Sequence, residues 1–441
     1  MIEYDFESFA LAHDPIASAV GLAREAVDDY VLYEGAGEWC FAAGRLATVT
    51  MDAQRIYCRC GDTEYVREWS GSPGSALHAA LAQLPIDDWH AYGRVNFGFA
   101  ELLAHVRRRG AAPPSGPLVR LIVPRTEVRL NGRRVSIRSV EVSDRDRIRA
   151  QLTAPAQSAD HAAVGIDIRT GESAYRGRVT QAVKEIRQGQ YQKVILSRSV
   201  RLPFPVDLPA TYELGRRANT PARSFLLRLD GAAAAGFSPE VIVTVDEDRR
   251  VATQPLAGTR AFGRGARADA AARTELRTDP KEIYEHAVSV LAAVGEMRTI
   301  CAPESVSVEE FMGIRERGSV QHLASLVQGV LADDRTAWDA LEAVFPAVTA
   351  SGIPKRESLD AISRMDEPRG LYSGAVLRIS HSGALDAALV LRAVYQEGDG
   401  AWLRAGAGIV ADSVPEREFE ETCEKLGSIA PYVIPMNPRS G

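Results

Sequence analysis

One stretch near the C-terminus constrains the fold more than any other. Trp402 to Val410 reads as a strand holding Gly406 and Gly408, and a helix follows, opened by Ser413 with Pro415 in its first turn. Phe419, Cys423 and Leu426 recur at helical spacing and face a core. Glu418, Glu421 and Lys425 stand three and four apart and share a different face. A second helix, from Asp279-Pro280 to about Thr299, repeats the device. Asp279 is its N-cap, Pro280 suits its first turn, and Glu282 takes the capping-box position. Its apolar rows are Val288 with Leu291, and Ile283, Ala287, Val290 and Val294; Glu282 and Glu285 are again three apart. Either pair of carboxylates alone reads as a solvated face. Two pairs on two helices could instead close on one hard cation with oxygen ligands.

The 441 residues are 46% hydrophobic, enough for a large core in two or three domains or in one big α/β body. A formal net charge of −6 leaves no basic excess to hold phosphate backbones, so no nucleic-acid partner is expected. No apolar run reaches the roughly 18 residues of a membrane span. The acidic start, Met1-Ile2-Glu3-Tyr4-Asp5, lacks the order of a signal peptide, so a cytoplasmic protein is expected. The five cysteines complete no zinc spacing and read as reduced thiols.

Residues 1 to about 140 read as short strands, with one helix from Ser75 to Gln83 capped by Ser75. Asn131-Gly132 signals a type I′ hairpin turn. Ala154 to Ala163 reads as a connecting segment, and Tyr175 to Arg187 as a helix ended by Gly189. The strand Tyr191 to Val200 places Lys193 on the face of Tyr191, Ile195 and Ser197. Such a lysine either guards a sheet edge or points into a cavity, and the strand alone favours the edge. Glu240 follows Pro239 in a turn, where a solvated carboxylate is ordinary. Gly258-Thr259 offers N–H groups and a hydroxyl to an anion. His322, taken alone, reads as a structural histidine. Arg392, in the apolar strand Leu385 to Val394, needs an anionic partner if it is buried.

These motifs run in an order that resembles the chorismate-utilising enzymes. The likeness rests on Lys193-Val194-Ile195-Leu196-Ser197-Arg198, Phe237-Ser238-Pro239-Glu240, Pro255-Leu256-Ala257-Gly258-Thr259-Arg260 and Gly318-Ser319-Val320-Gln321-His322. Thr349-Ala350-Ser351-Gly352-Ile353-Pro354-Lys355, Arg369-Gly370-Leu371-Tyr372-Ser373-Gly374-Ala375 and Arg404-Ala405-Gly406-Ala407-Gly408-Ile409-Val410 complete it. That family includes anthranilate synthase component I, aminodeoxychorismate synthase, isochorismate synthase and salicylate synthase. The resemblance implies an α/β fold of the α+β type, a single large body of two antiparallel β-sheets with flanking helices. Residues 1–165 would be a strand-rich part of that body, and residues 166–441 the chorismate-binding catalytic region. Asp366-Glu367-Pro368-Arg369 is one residue shorter than the family pattern, a loop change expected to shift Tyr372 slightly at most.

Chorismate is thus the implied small-molecule substrate, and Mg2+ the implied cofactor. Lys193 resembles the water-activating base of isochorismate and salicylate synthases. It must act as the free amine, which an apolar strand face favours by desolvation. Glu240 resembles the acid, which must hold its proton near neutral pH. Glu285 and Glu421 would hold the metal, with Glu282 and Glu418 positioning water and ligands. Arg392, Tyr372 and the N–H groups around Gly406 and Gly408 would take the enolpyruvyl carboxylate. Gly258, Thr259 and Lys425, with His322 of the catalytic set, would line the ring-carboxylate side. Ala257 counts against aminodeoxychorismate synthase, which has a lysine nucleophile there. Thr349 resembles the threonine of the branches that eliminate pyruvate, so Lys193 with Thr349 is the salicylate synthase combination. An isochorismate synthase that releases its product, or less readily an anthranilate synthase component I, is the alternative. The resemblance implies a monomer serving siderophore or other secondary metabolite synthesis.

Overall fold

Short apolar runs between turn residues assemble two antiparallel sheets. In the computed structural model, which describes residues 2–105, 116–154 and 162–436, each sheet takes strands from both ends of the chain. The first has eleven strands in the order Asp5–Ala10, Arg134–Ser139, Thr126–Asn131, Glu38–Ala43, Tyr30–Gly35, Arg223–Leu229, Ala232–Ser238, Ala393–Glu397, Gly400–Ile409, Lys193–Leu202 and Gly352–Ile353. The second has twelve: Leu256–Ala261, Val320–Val330, Arg250–Thr253, Val241–Val245, Leu385–Leu389, Ala375–Ser380, His90–Val95, Val119–Val123, Ala47–Met51, Arg55–Cys60 and Thr63–Glu68 in order, with Ser307–Arg317 also paired to Val320–Val330. Tyr30–Gly35 lies beside Arg223–Leu229, and His90–Val95 beside Ala375–Ser380. The N-terminal and C-terminal parts therefore share both sheets in a single α/β body with flanking helices.

Several local signals act one turn away from where the sequence places them. The helix Pro73–Ala82 is capped by Ser72, whose hydroxyl accepts from Ser75 N, because Pro73 fills the first helical position without needing a donor. The helix Pro415–Leu426 starts after Val414 with no side-chain cap; Ser413 instead accepts from Val410 N and closes the preceding turn. In the hairpin after Asn131, Gly132 (φ 58°) and Arg133 are the central residues, and only Gly132 takes positive φ, so the turn is not type I′. The helix that includes Tyr175 begins at Glu172. Most of the expected connecting segment, Ala154 to Ala163, lies outside the described residues.

The helix Pro280–Met297 is capped by Asp279, which accepts from Lys281 N. Glu282 does not close a capping box; it turns inward to Arg260 and Thr259. Its buried face is Glu282, Glu285, His286, Ser289, Val290, Ala293 and Met297, while Leu291 is 72% exposed. On the helix Pro415–Leu426, Phe419, Cys423 and Leu426 are buried as their spacing requires. Burying an aromatic such as Phe419 contributes roughly 1.5–3 kcal/mol. That apolar anchorage holds the helix while Glu418 and Glu421 are also buried. Among the described residues, no helix is long and apolar enough to cross a membrane.

Candidate active site

Both sheets and both acidic helices contribute to one cavity wall. Glu240, Gly258, Thr259, Glu285, His322, Thr349, Tyr372, Arg392, Gly406, Gly408, Glu421 and Lys425 line it. Lys193, Glu282 and Glu418 are not in the wall; each is buried against a residue or element that is.

Lys193 is fully buried, so it is no edge guard. Its strand runs between Gly400–Ile409 and the short Gly352–Ile353 strand, and the helix Pro280–Met297 covers the side chain. Its surroundings are also not apolar. Nζ donates to Ser289 Oγ at 3.0 Å and pairs with Glu285 Oε1 at 3.0 Å. Gly408 leaves room for this pair, since a Cβ there would stand 2.3 Å from Glu285 Oε1.

Glu240 is 3% exposed, not the solvated turn carboxylate its local sequence suggests. Desolvation pushes its carboxyl up to about 8, against the opposing pull of a hydrogen bond from Thr349, a Leu256 N–H, Lys193 and Lys425. Thr349 Oγ1 donates to Glu240 Oε1 at 2.5 Å. The cavity therefore has a carboxyl that keeps its proton at neutral pH, within electrostatic reach of the buried Lys193 amine.

At the acidic end, Glu282, Glu285 and Glu418 converge on Lys281, whose Nζ lies 3.5, 3.2 and 3.6 Å from them. Glu421 pairs with Lys425 at 2.8 Å, and Glu282 with Arg260 at 2.8 Å. Burial works to raise the Glu285 carboxyl, but Lys193 and Lys281 outweigh it and hold it low. Burial wins at Glu418, pushed up to about 7, since its main opposing charge is Lys281 alone. Among the described residues, no group of three or more carboxylates, imidazoles or thiolates stands ready-made as a metal shell. The donor set nonetheless suits a hard cation: three carboxylates face one ammonium, the Glu421 charge is felt among them, and Glu418 Oε2 is buried with no hydrogen-bond partner.

At the other end the balance reverses. Arg392 is 6% exposed, and no carboxylate among the described residues pairs with it. Nη1 donates to Arg317 O at 2.9 Å and Nη2 to His322 Nε2 at 2.6 Å. Desolvation, then the nearby Arg317, lowers the guanidinium to about 9. Because His322 Nε2 accepts, Nδ1 carries the hydrogen, within 3.2 Å of Gly258 O and 3.1 Å of Thr259 Oγ1. Burial, Arg392 and Lys425 together keep this imidazole uncharged. A buried arginine held by neutral acceptors is a site for an incoming anion.

Sequence reasoning missed Arg404 and Lys281. Arg404 lines the cavity and lies over the Tyr372 ring, 5.2 Å from its centroid. The signal was available: strand alternation puts residue 404 on the face of Gly406 and Gly408. Its Nη1 and Nη2 donate to Pro368 O (2.7 Å) and Glu367 O (2.9 Å), so the loop 366–369 is tied directly to the site. Asp366 anchors the same loop by accepting from Ser197 Oγ at 2.6 Å and Arg369 Nη2 at 2.8 Å. Lys281 gave no signal beyond its place beside Glu282.

Residues 29–431 match the family described as chorismate binding enzyme. The chain is 48% identical over 418 residues to the salicylate synthase of Mycolicibacterium paratuberculosis, covering 94% of this chain and 92% of that one. It is 38% identical over 298 residues to anthranilate synthase component 1 of Haloferax volcanii, covering 65% of this chain and 56% of that one. Anthranilate synthase component I from Streptococcus pneumoniae shares the fold with a TM-score of 0.75 at 24% identity, over 90% of this chain and 92% of that one. The menaquinone-specific isochorismate synthase from Escherichia coli does so with a TM-score of 0.72 at 19% identity, over 98% and 95%. Fold, cavity and sequence agree: the chain belongs to the chorismate-utilising enzymes, the family of anthranilate synthase component I and its relatives.

Proposed function

We propose that this enzyme is a magnesium-dependent salicylate synthase, converting chorismate to isochorismate and then to salicylate and pyruvate. The observation that carries the reading is Glu240, a buried carboxyl in the cavity wall pushed up to about 8 and hydrogen-bonded by Thr349. An acid that is still protonated at neutral pH can protonate a leaving hydroxyl. The identity to a salicylate synthase over nearly the whole chain supports this branch of the family.

In the first step, water forms a bond to ring carbon 2 and gives its proton to Lys193. The hydroxyl on carbon 4 leaves as water with the proton of Glu240, and the ring double bonds shift between them. Arg392, Tyr372 and the backbone around Gly406 and Gly408 hold the enolpyruvyl carboxylate, and Lys425, Thr259 and His322 face the ring carboxylate. A magnesium ion held by Glu285 and Glu421 would neutralise the ring carboxylate and draw the Glu285 charge away from Lys193. In the second step, the bond from carbon 3 to the enolpyruvyl oxygen breaks while the hydrogen on carbon 2 passes to the side-chain methylene, leaving salicylate and pyruvate. No side chain exchanges a proton there, so the protein's part is to hold the reactive pose, with Thr349 shaping it.

Incubation with chorismate and Mg2+, followed by product fluorescence and mass, tests the reading. Salicylate with equimolar pyruvate is expected. Isochorismate as the sole product, or anthranilate when ammonia is supplied, would overturn it.

A further inference from the structure

The four carboxylates of the acidic end already have four cationic neighbours within the chain. Arg260 serves Glu282, Lys193 serves Glu285 and Lys425 serves Glu421. Lys281 reaches three of them, and it is the cation nearest Glu418, at 3.6 Å. Its position is otherwise unfavourable. Lys281 sits in the first turn of Pro280–Met297, where the helix dipole disfavours a positive charge. The cage must therefore supply the attraction that keeps it inward. Its side chain is 18% exposed, unlike the cage carboxylates at 1–8%, so it has a direct way out to solvent, as Lys425 has at 23%.

We propose that Lys281 is a built-in counter-ion occupying the centre of the carboxylate cage, and that a divalent cation binds by displacing it outward. This rests on the reading that the cage binds Mg2+. Lys281 then sets the cation affinity. With Lys281 inside, the cage is balanced and compact without metal. Exchanging one ammonium for a divalent ion adds one positive charge, which the carboxylate of an incoming ligand neutralises. The cation and an aromatic carboxylate consequently bind better together than apart, a reciprocal coupling. Glu418 Oε2, buried without a hydrogen-bond partner, is the acceptor left for the cation after the exchange.

The test is Mn2+ binding followed by electron paramagnetic resonance, with and without salicylate, on wild type, Lys281→Met and Glu421→Gln. Lys281→Met should bind Mn2+ at least about tenfold tighter than wild type without salicylate, as loss of a competing charge requires. It should keep the salicylate-dependent gain of wild type, because the cation then adds its full charge for the carboxylate to neutralise. Thermal unfolding adds a second readout: metal-free Lys281→Met should melt below wild type, with a larger rise in Tm on adding Mg2+. If Lys281→Met does not fold, Lys281→Gln serves, with the same expectations. Equal or weaker Mn2+ binding by the variant, at a site that Glu421→Gln abolishes, would sink the displacement while leaving the metal reading intact. No Mn2+ binding by wild type or Lys281→Met at a site sensitive to Glu421→Gln would overturn both.

Discussion

The two ends of the cavity solve opposite electrostatic problems. At the acidic end, buried carboxylates are matched by cations of the chain itself, as with Lys193 against Glu285 and Lys425 against Glu421. At the basic end, Arg392 is as deeply buried but is held only by a carbonyl and a neutral imidazole. Breaking a buried ion pair by removing one partner is strongly destabilising, whereas removing a buried charge that has no counter-charge relieves a desolvation cost. One end is thus complete until something displaces part of it. The other is built incomplete and gains its partner from the ligand.

The comparison is put under most strain at Lys193, which is both a cage counter-ion and the proposed base. Lys193→Gln should cut chorismate consumption by roughly 10²–10⁴-fold, as loss of a positioned base does. Consumption at the normal rate would remove Lys193 from the chemistry and leave it a counter-ion only.

Glu240 gives the next largest effect, read as stability. Its carboxyl is raised from 4.5 to about 8, so between those values the folded protein keeps a proton that the unfolded chain has released. The stability tied to this group is fully present below about pH 4.5 and is lost as pH rises through about 8. The amide introduced by Glu240→Gln does not titrate. The variant should therefore gain on wild type as pH rises from 5 to 8, by up to about 4 kcal/mol in denaturant unfolding. A difference that stays flat with pH would mean the carboxyl is already ionised, and would take the proposed acid with it.

Arg392→Met separates the two ends directly. It removes a charged hydrogen-bond donor from the ligand but leaves no buried carboxylate stranded. KM for chorismate should rise roughly tenfold to a hundredfold, while Tm holds or rises. A fall in Tm as large as that from removing a cage lysine would show that Arg392 has a structural counter-charge after all.

How much of this was legible in sequence follows from the same physics. Chain-local spacing placed Phe419, Cys423 and Leu426 in the core, and the alternation of 400–409 was there to be read for Arg404. Contacts between distant segments were not. Lys193 looked like an edge guard because nothing in its own strand announces that the helix Pro280–Met297 covers it with Glu285 and Ser289. That helix was misjudged for the matching reason: its apolar rows suggested an inward Leu291, yet its polar face turns inward and Leu291 is 72% exposed. An apolar moment points a helix at a core only when no buried ion cluster competes for the same face. Lys281 was invisible because a lysine next to a glutamate is ordinary until three carboxylates from two helices close around it.

The finest probe is Thr349, which touches neither end's charges but sets the acid between them. Its hydroxyl donates to Glu240 Oε1 at 2.5 Å, and a donor to a carboxyl favours the ionised form. Removing it should push the Glu240 carboxyl above its present value of about 8. Activity that depends on the protonated acid would then persist to higher pH, so the alkaline limb of kcat/KM should move up in Thr349→Ala and stay in place in Thr349→Ser. If Thr349 also shapes the pyruvate-expelling pose, Thr349→Ala should release more isochorismate relative to salicylate at every pH. A shifted limb with an unchanged product ratio would confine Thr349 to tuning the acid. A changed ratio with a fixed limb would confine it to the second step and leave burial alone to raise Glu240.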